Sequence, residues 1–463
     1  MGILSTAKKT SRITAPRIMV AGTGSGCGKT TITCALLKAF IRRGLAVTSF
    51  KCGPDYIDPM FHSEMIGAKS RNLDMFLCGE KTTAYLLAEN ARNSDLSIIE
   101  GVMGFYDGLG VKNPEFSSYD LSEKTKTPVI LIINASGMSL SVLAMVKGFV
   151  EFKRNNIAGI ILNEVSQEIY PLLKESIEKA FPVIVLGYMP KTKETVLESR
   201  HLGLVTAAEV PLLQNKLDML ADMAEKYLEM DTILDLAKSA PELEYNEVSI
   251  KEANPVRIAI ANDKAFCFYY EDSLDLLRKM GAELIPFSPL HDEALPEKIS
   301  GLILGGGYPE IYLDQLSKNT FIIENIRHAI EKGLPTYAEC GGFMYLGKSI
   351  ENFPMIGIID MKSEMTSRLQ NFGYIIMDQK TDDFGWINPK CKIPAHEFHY
   401  SKSNLDHGAF ISTKVSSGKQ WDSMVVDENL FAGYPHLHFW GTPQLSEGFL
   451  NKCRKFKNVA EQN

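Results

Sequence analysis

The sequence predicts an α/β protein built from two doubly wound domains in series. Three observations carry this. Short continuous apolar runs alternate with helical patterns twice, from residue 15 to about 230 and again from 256 to about 450. Each series contains a junction of strand, glycine-rich loop and helix, at Val20–Thr31 and at Ala338–Met344. Between them, residues 231–255 are acidic, lack a sustained apolar pattern and carry Pro241 and Pro255, which reads as a linker.

A chain of 463 residues has room for two or three full hydrophobic cores. Its net charge of −7 supplies no general attraction to nucleic acid or to an anionic membrane, so an anionic ligand must be held by local sites. The eight cysteines are scattered, with no C-x-x-C pair and no Cys/His cluster at zinc spacing, as expected for a cytoplasmic protein with reduced thiols. No apolar run reaches the ~18 residues of a membrane span. The N-terminal segment with Lys8, Lys9 and Arg12 reads as a short ragged arm, and residues 451–463 as a disordered tail.

In the first series, strands are expected at Arg17–Ala21, Ala46–Phe50, Leu96–Glu100, Val129–Asn134, Ile157–Asn163 and Val183–Gly187. Uninterrupted apolar strands alternating with helices, such as Thr30–Arg43 closed by Gly44, indicate a parallel sheet covered on both faces. Ligands of such sheets bind beyond the carboxyl ends of the strands.

The first strand end carries Gly22-Thr23-Gly24-Ser25-Gly26-Cys27-Gly28-Lys29-Thr30-Thr31. Amides of such a loop and of the following helix N-terminus face phosphate oxygens. Lys29 adds a charge for the outer phosphates, and the Thr30 hydroxyl can ligate Mg²⁺. The second strand end carries Lys51-Cys52-Gly53-Pro54-Asp55-Tyr56-Ile57-Asp58-Pro59. Lys51 there can neutralise phosphate, and Asp55 can bind Mg²⁺ directly or through water. The third ends in Glu100, the position from which a carboxylate reaches Mg²⁺ in nucleotide-hydrolysing sheets, with Asp107 as second choice. Asn163 can offer donor and acceptor to an adenine edge, and Arg200 and His201 place a cation and an imidazole in a loop.

The second series predicts strands at Val256–Ala261, Ala282–Phe287, Leu302–Leu304 and Pro335–Ala338, with helices at Ser273–Met280 and Leu316–Lys332. The last strand runs into Glu339-Cys340-Gly341-Gly342, the pattern of a nucleophile elbow. The helix N-terminus behind Cys340 favours its thiolate. The Gly341 amide and one from Gly305–Gly307, Gly306 in particular, can form an oxyanion hole. The base candidates are His436 and His438, with His396 and His399 as the other pair.

The spacing at Gly22–Thr31, five residues between Gly22 and Gly28 with Thr23 in place of the usual first glycine, resembles dethiobiotin synthetase. The blocks Gly305-Gly306-Gly307-Tyr308-Pro309-Glu310 and Ala338–Gly342 resemble triad-type class I glutamine amidotransferases. Fused in this order they resemble the cobyrinic acid a,c-diamide synthase family, as do Lys51–Pro59, Gly101–Gly108, Arg200–Leu204 and His396–Ser401.

The resemblance implies that Cys340, activated by His436, releases ammonia from glutamine. It implies that Mg-ATP phosphorylates a substrate carboxylate that ammonia then converts to an amide. Thr30, Asp55 and Glu100 are then the metal candidates, and Tyr56 and Ile57 lie where the substrate carboxylate meets ATP. The implied substrate is cobyrinic acid, with nickel-sirohydrochlorin, sirohydrochlorin and hydrogenobyrinic acid as alternatives. A different class, a P-loop switch or partitioning ATPase with an inactive second domain, has no use for Cys340. A homodimer stays open. One feature departs from the pattern: many class I amidotransferases follow the catalytic histidine with x-Glu, whereas Leu437-His438 stands here, and the orienting acid is unidentified.

Overall fold

The computed structural model describes residues 4–192, 210–251, 253–380, 385–387, 391–405 and 407–460. The loop with Arg200 and His201 lies outside the described residues. The chain divides into two compact units, one on residues 8–75 and 79–247, the other chiefly on 248–463.

The first unit is ordered β1 (Leu4–Ile13), β2 (Arg17–Gly22), α1 (Lys29–Arg42), β3 (Val47–Cys52), α2 (Ile57–Phe61), a π-helical turn (His62–Ile66), β4 (Lys69–Leu73), α3 (Met75–Ala91) and β5 (Leu96–Glu100). It continues with α4 (Ser118–Thr125), β6 (Val129–Asn134), α5 (Ser141–Glu151), β7 (Ile157–Asn163), α6 (Tyr170–Ala180), β8 (Ile184–Met189), α7 (Val210–Tyr227), α8 (Met230–Lys238) and β9 (Leu243–Ile250). Seven parallel strands form one sheet in the order β4-β3-β5-β2-β6-β7-β8. β2 lies at its centre with every residue buried, which is why Ile18–Ala21 is apolar throughout, while the buried Arg17 that precedes it donates to Ala15 O, Thr125 O and Thr127 Oγ1. On one face α1 and α7 bury Leu36, Phe40, Leu217 and Leu220 against Ile18, Val20 and Ile98.

The second unit begins with β10 (Val256–Ala261), α9 (Glu271–Lys279), β11 (Ala282–Phe287), β12 (Gly301–Leu304), α10 (Leu313–Lys318), α11 (Thr320–Glu331), β13 (Thr336–Glu339) and α12 (Gly341–Leu346). Then come β14 (Gly347–Ile350), β15 (Phe353–Pro354), β16 (Ile359–Gln379), β17 (Ile393–Ser403), β18 (Phe410–Lys414), β19 (Gln420–Ser423), β20 (Val425–Val426), β21 (Leu430–Gly433), β22 (His436–Leu437) and α13 (Pro443–Ala460). A six-stranded sheet runs β11-β10-β12-β13-β21-β20, parallel except for β20. A second sheet, dominated by the antiparallel pair β16 and β17, ends on β22.

Four expectations are corrected. Residues 231–255 are not a linker. They form α8, whose Ile233 and Ala237 are buried in the core of the first unit, and β9, so the boundary falls at 247–248. The arm before residue 15 is β1, paired with β9 in a two-stranded sheet. A half-exposed two-stranded ribbon needs no continuous apolar run, so neither strand announces itself. Residues 451–460 of the expected tail are the end of α13, a helix whose Leu445, Phe449, Leu450 and Cys453 recur at helical spacing and are buried. The helix expected at Leu316–Lys332 is two helices that meet at Asn319.

Candidate active sites

At the carboxyl end of the first sheet, β2 delivers the Gly22–Thr31 loop. Phe105 N–H donates to Gly22 O (2.8 Å) and Thr23 N–H to Ile132 O (3.2 Å), tying the loop to its neighbours. Gly28 opens α1 at φ +101°. A Cβ there would lie 2.2 Å from the Asn163 amide nitrogen, so glycine is required on both counts. Asn163 Nδ2 donates to Cys27 O (3.0 Å), so this residue, expected at an adenine edge, also braces the loop. Gly26 and Ser25 are exposed, Thr23 and Thr31 partly so, and Cys27 is buried. Lys29 Nζ folds over the loop to Gly24 O at 2.7 Å. Burial lowers its pKa against the opposing pull of the Cys27 side chain.

Behind the loop lies a buried charge cluster. Thr30 Oγ1 donates to Glu100 Oε1 at 2.5 Å. Lys51 Nζ donates to the same oxygen (2.8 Å) and to Asp58 Oδ2 (2.6 Å), with Asp55 Oδ2 at 3.9 Å. Burial opposes the Lys51 charge, but Glu100, Asp58 and Asp55 outweigh it and its pKa is raised. Burial, reinforced by the Asp58 charge, raises Glu100 and brings Asp55 up to about 6. His62 Nε2 stands 3.5 Å from Glu100 Oε2, and its Nδ1 bonds to Ser49 Oγ at 2.8 Å. Asp58 and His62 were given no role from sequence. Asp58 is the nearer partner of Lys51, while Asp55 Oδ1 accepts from the amides of Ile57 (2.8 Å) and Asp58 (3.3 Å). Tyr56 is buried and Ile57 half-buried beside it. Asp107 Oδ2 accepts from Gly104 N–H (2.9 Å), a local turn that occupies the second-choice carboxylate.

These oxygens suit Mg²⁺. Thr30 Oγ1 and Glu100 form a hard donor pair in contact, and Asp55 stands on the more exposed side. Among the described residues no group of three or more His, Cys, Asp or Glu forms a closed metal cage.

In the second unit, β13 ends in Glu339 and the chain turns at Cys340, which has φ +44° and ψ −100° and caps α12. A non-glycine residue held there is strained, as a nucleophile elbow requires. A Cβ on Gly342 would lie 2.2 Å from Leu304 O, so only glycine lets α12 pack this closely on β12. His436, on β22, is hydrogen-bonded to the Cys340 side chain. Its Nδ1 lies 3.3 Å from Glu339 Oε2. Burial opposes the imidazolium, but Cys340 and Glu339 outweigh it and raise its pKa to about 10. A Cβ built on Gly341 falls 3.2 Å from Gly307 N, and among the described residues neither amide donates to a backbone carbonyl. Gly341 and Gly307 thus lie side by side, while Gly306 lies against the His436 ring.

The other histidines separate by environment. His399 stacks on Tyr434 (3.8 Å between ring centres) and bonds to Ser401 O and Glu397. Burial pulls His396 and His438 down to about 3, with the His436 charge adding to the effect at His396. Both are neutral in the fold, whereas the unfolded chain takes up their protons near pH 6.5. The unfolded chain therefore binds more protons between those values. Stability is intact above about pH 6.5 and falls as pH drops toward 3, by ~1.4 kcal/mol per unit for each histidine. His438→Gln should reduce the slope of unfolding free energy against pH by about that amount between roughly pH 4 and 6. Urea titrations followed by tryptophan fluorescence measure it, and an unchanged slope would show His438 protonated in the fold.

Fold and sites together define a glutamine-dependent amidating ligase: a P-loop nucleotide-binding unit joined to a glutamine amidotransferase unit. A family model described as the CobQ/CobB/MinD/ParA nucleotide binding domain matches residues 18–204, and one described as the CobB/CobQ-like glutamine amidotransferase domain matches residues 257–444. Among curated relatives, the cobyrinate a,c-diamide synthase of Listeria innocua is 41% identical over 443 residues, 93% of this chain and 97% of the relative. That of Caldanaerobacter subterraneus is 38% identical over 447 residues, 95% and 98% of the two chains. That of Thermoplasma volcanium is 38% identical over 457 residues, 96% and 99%. The chain belongs to the cobyrinate a,c-diamide synthase family.

Proposed function

We propose that this enzyme amidates the a and c acetate carboxylates of cobyrinic acid, with glutamine as nitrogen donor and ATP as energy source, in cobalamin biosynthesis. The observation that carries the reading is one chain holding both a phosphate loop backed by Thr30, Lys51, Asp58 and Glu100 and an elbow cysteine bonded to a buried histidine. The names of the full-length relatives support the substrate.

In the glutaminase unit, Cys340 Sγ attacks the side-chain amide of glutamine and its proton passes to His436. The amides of Gly341 and Gly307 receive the developing oxyanion. His436 returns the proton to the leaving ammonia, and water hydrolyses the thioester. In the synthetase unit a carboxylate is a poor acyl donor, so it is first converted to an acyl phosphate, which ammonia displaces. Lys29 and the loop amides hold the ATP phosphates, and Lys51 offsets the charge of two anions brought together. Mg²⁺, held by Thr30 and Glu100 with Asp55 at its open side, would supply the remaining neutralisation. Both co-substrates are those of the cytoplasm.

The test is amidation of cobyrinic acid, followed by phosphate release and product mass. Two successive one-amide mass changes, each with one phosphate, are expected. Amidation of only a sirohydrochlorin would leave the chemistry and replace the substrate. ATP turnover without nitrogen transfer to any macrocycle would sink the reading.

A further inference from the structure

We propose that Glu339 is the positioning acid of the glutaminase and occupies the role that a carboxylate two residues after the histidine fills in related enzymes. The usual position is unavailable here. It is His438, stacked on Tyr270 (4.9 Å between ring centres) with Nδ1 accepting from Trp440 N–H at 3.3 Å. Glu339 approaches the same imidazole from the opposite direction in sequence, one residue before the nucleophile.

The geometry divides its two oxygens between two tasks. Oε2 faces His436 Nδ1 at 3.3 Å. Oε1 accepts from Leu437 N–H at 2.9 Å and from the Tyr337 hydroxyl. One carboxylate therefore fixes both the ring and the backbone segment that carries it. An acceptor at Nδ1 keeps a proton on that nitrogen and leaves Nε2 to exchange the Cys340 proton, and the imidazolium that results is the form the raised pKa of His436 favours. The Glu339 carboxylate beside Nδ1 stabilises the imidazolium formed when the thiol proton arrives. Glu339, Tyr337 and His436 are all buried, so the interaction is little screened. His396, the other imidazole near His436, is kept neutral by burial and adds no competing positive charge.

The inference rests on the reading of Cys340 as the glutamine nucleophile. Glu339→Gln is the discriminating variant. Its amide oxygen can still accept from Leu437 N–H and Tyr337, but its NH₂ then faces Nδ1. The imidazole must present a lone pair to that NH₂ and carry its proton on Nε2, where it can no longer accept from the thiol.

The experiment measures glutaminase kcat and KM separately for wild type, Glu339→Gln, Glu339→Asp and Cys340→Ala, with the alkylation rate of Cys340 by iodoacetamide. Ammonia-driven amidation reports folding. The expected result is a fall in kcat of roughly 10²- to 10⁴-fold in Glu339→Gln, with KM within a few-fold, as for a triad acid. Cysteine alkylation should slow in parallel, and Glu339→Asp should recover at least about tenfold of the loss. The proposal is overturned if Glu339→Gln keeps kcat and alkylation within about threefold of wild type. It is also overturned if both Glu339 variants lose activity equally, since a shorter carboxylate would then be no better than an amide. If Cys340→Ala hydrolyses glutamine as fast as wild type, the underlying reading fails instead, and the proposal with it.

Discussion

A Cys340→Ala enzyme should form amide from ammonia and essentially none from glutamine. The thiol is the group of the elbow that carries the glutamyl unit: Ala338, Gly341 and Gly342 offer no nucleophile, and the Glu339 carboxylate is taken up by His436, the Leu437 amide and the Tyr337 hydroxyl. Its removal forfeits the covalent route, and the glutamine-dependent rate should fall by at least ~10⁴-fold. Ammonia bypasses that step, and the acyl phosphate does not distinguish the source of its nucleophile. Product mass under each nitrogen donor checks the expectation. Retained glutamine-dependent synthesis would place the nucleophile elsewhere, and loss with both donors would mean that the substitution damages more than hydrolysis.

Lys51→Ala is expected to have the largest effect on stability. Lys51 is buried among Glu100, Asp58 and Asp55, two of them almost wholly shielded from water. Its loss removes the cation bonded to both Glu100 and Asp58, which costs about 3–5 kcal/mol when a buried pair is broken from one side. The penalty should depend on pH with a definite sign. Burial and mutual repulsion already raise Glu100 and Asp55 above their ordinary values. Without Lys51 they rise further, and the folded state holds protons that the unfolded state releases. The variant should therefore lose stability as pH rises through the carboxylate range and recover part of it in acid. Urea unfolding at both ends of that range measures this. A loss under ~1 kcal/mol at neutral pH would mean that the cluster is hydrated or already protonated. Synthesis should fail with either nitrogen donor.

The strands that sequence reveals best are those buried on both faces. β5, β6, β7 and β10 match the expected limits residue for residue, because a largely apolar run suits the middle of a covered sheet; β11 matches too, although it is an edge strand with Glu283 and Pro286 exposed. β4, Lys-Ser-Arg-Asn-Leu, sits at the edge of the first sheet and carries polar side chains, so it left no such run. β16 is 21 residues long with many residues exposed, and the antiparallel sheet built on it was not foreseen.

The sites divide in the same way. Thr30, Lys51, Glu100, Cys340 and His436 stand at strand ends or loops whose spacing is local, and the fold brings Thr30 with Lys51 and Glu100, and Cys340 with His436. Glu339, Asp58 and His62 act through neighbours from other elements, a relation that spacing does not encode. One signal was present. Ile99-Glu100 and Ala338-Glu339 each end an apolar strand with a buried acid, and only the first was read as a working carboxylate.

The placement of Glu339 beside Cys340 has a consequence for how hydrolysis can be lost. Nucleophile and acid ride on one rigid turn, while His436 and the Leu437 amide arrive together on the two residues of β22, which pairs with β17. One short strand therefore sets the distance from the imidazole to the thiol and to the carboxylate together, so a substitution that displaces β22 disturbs both contacts rather than one.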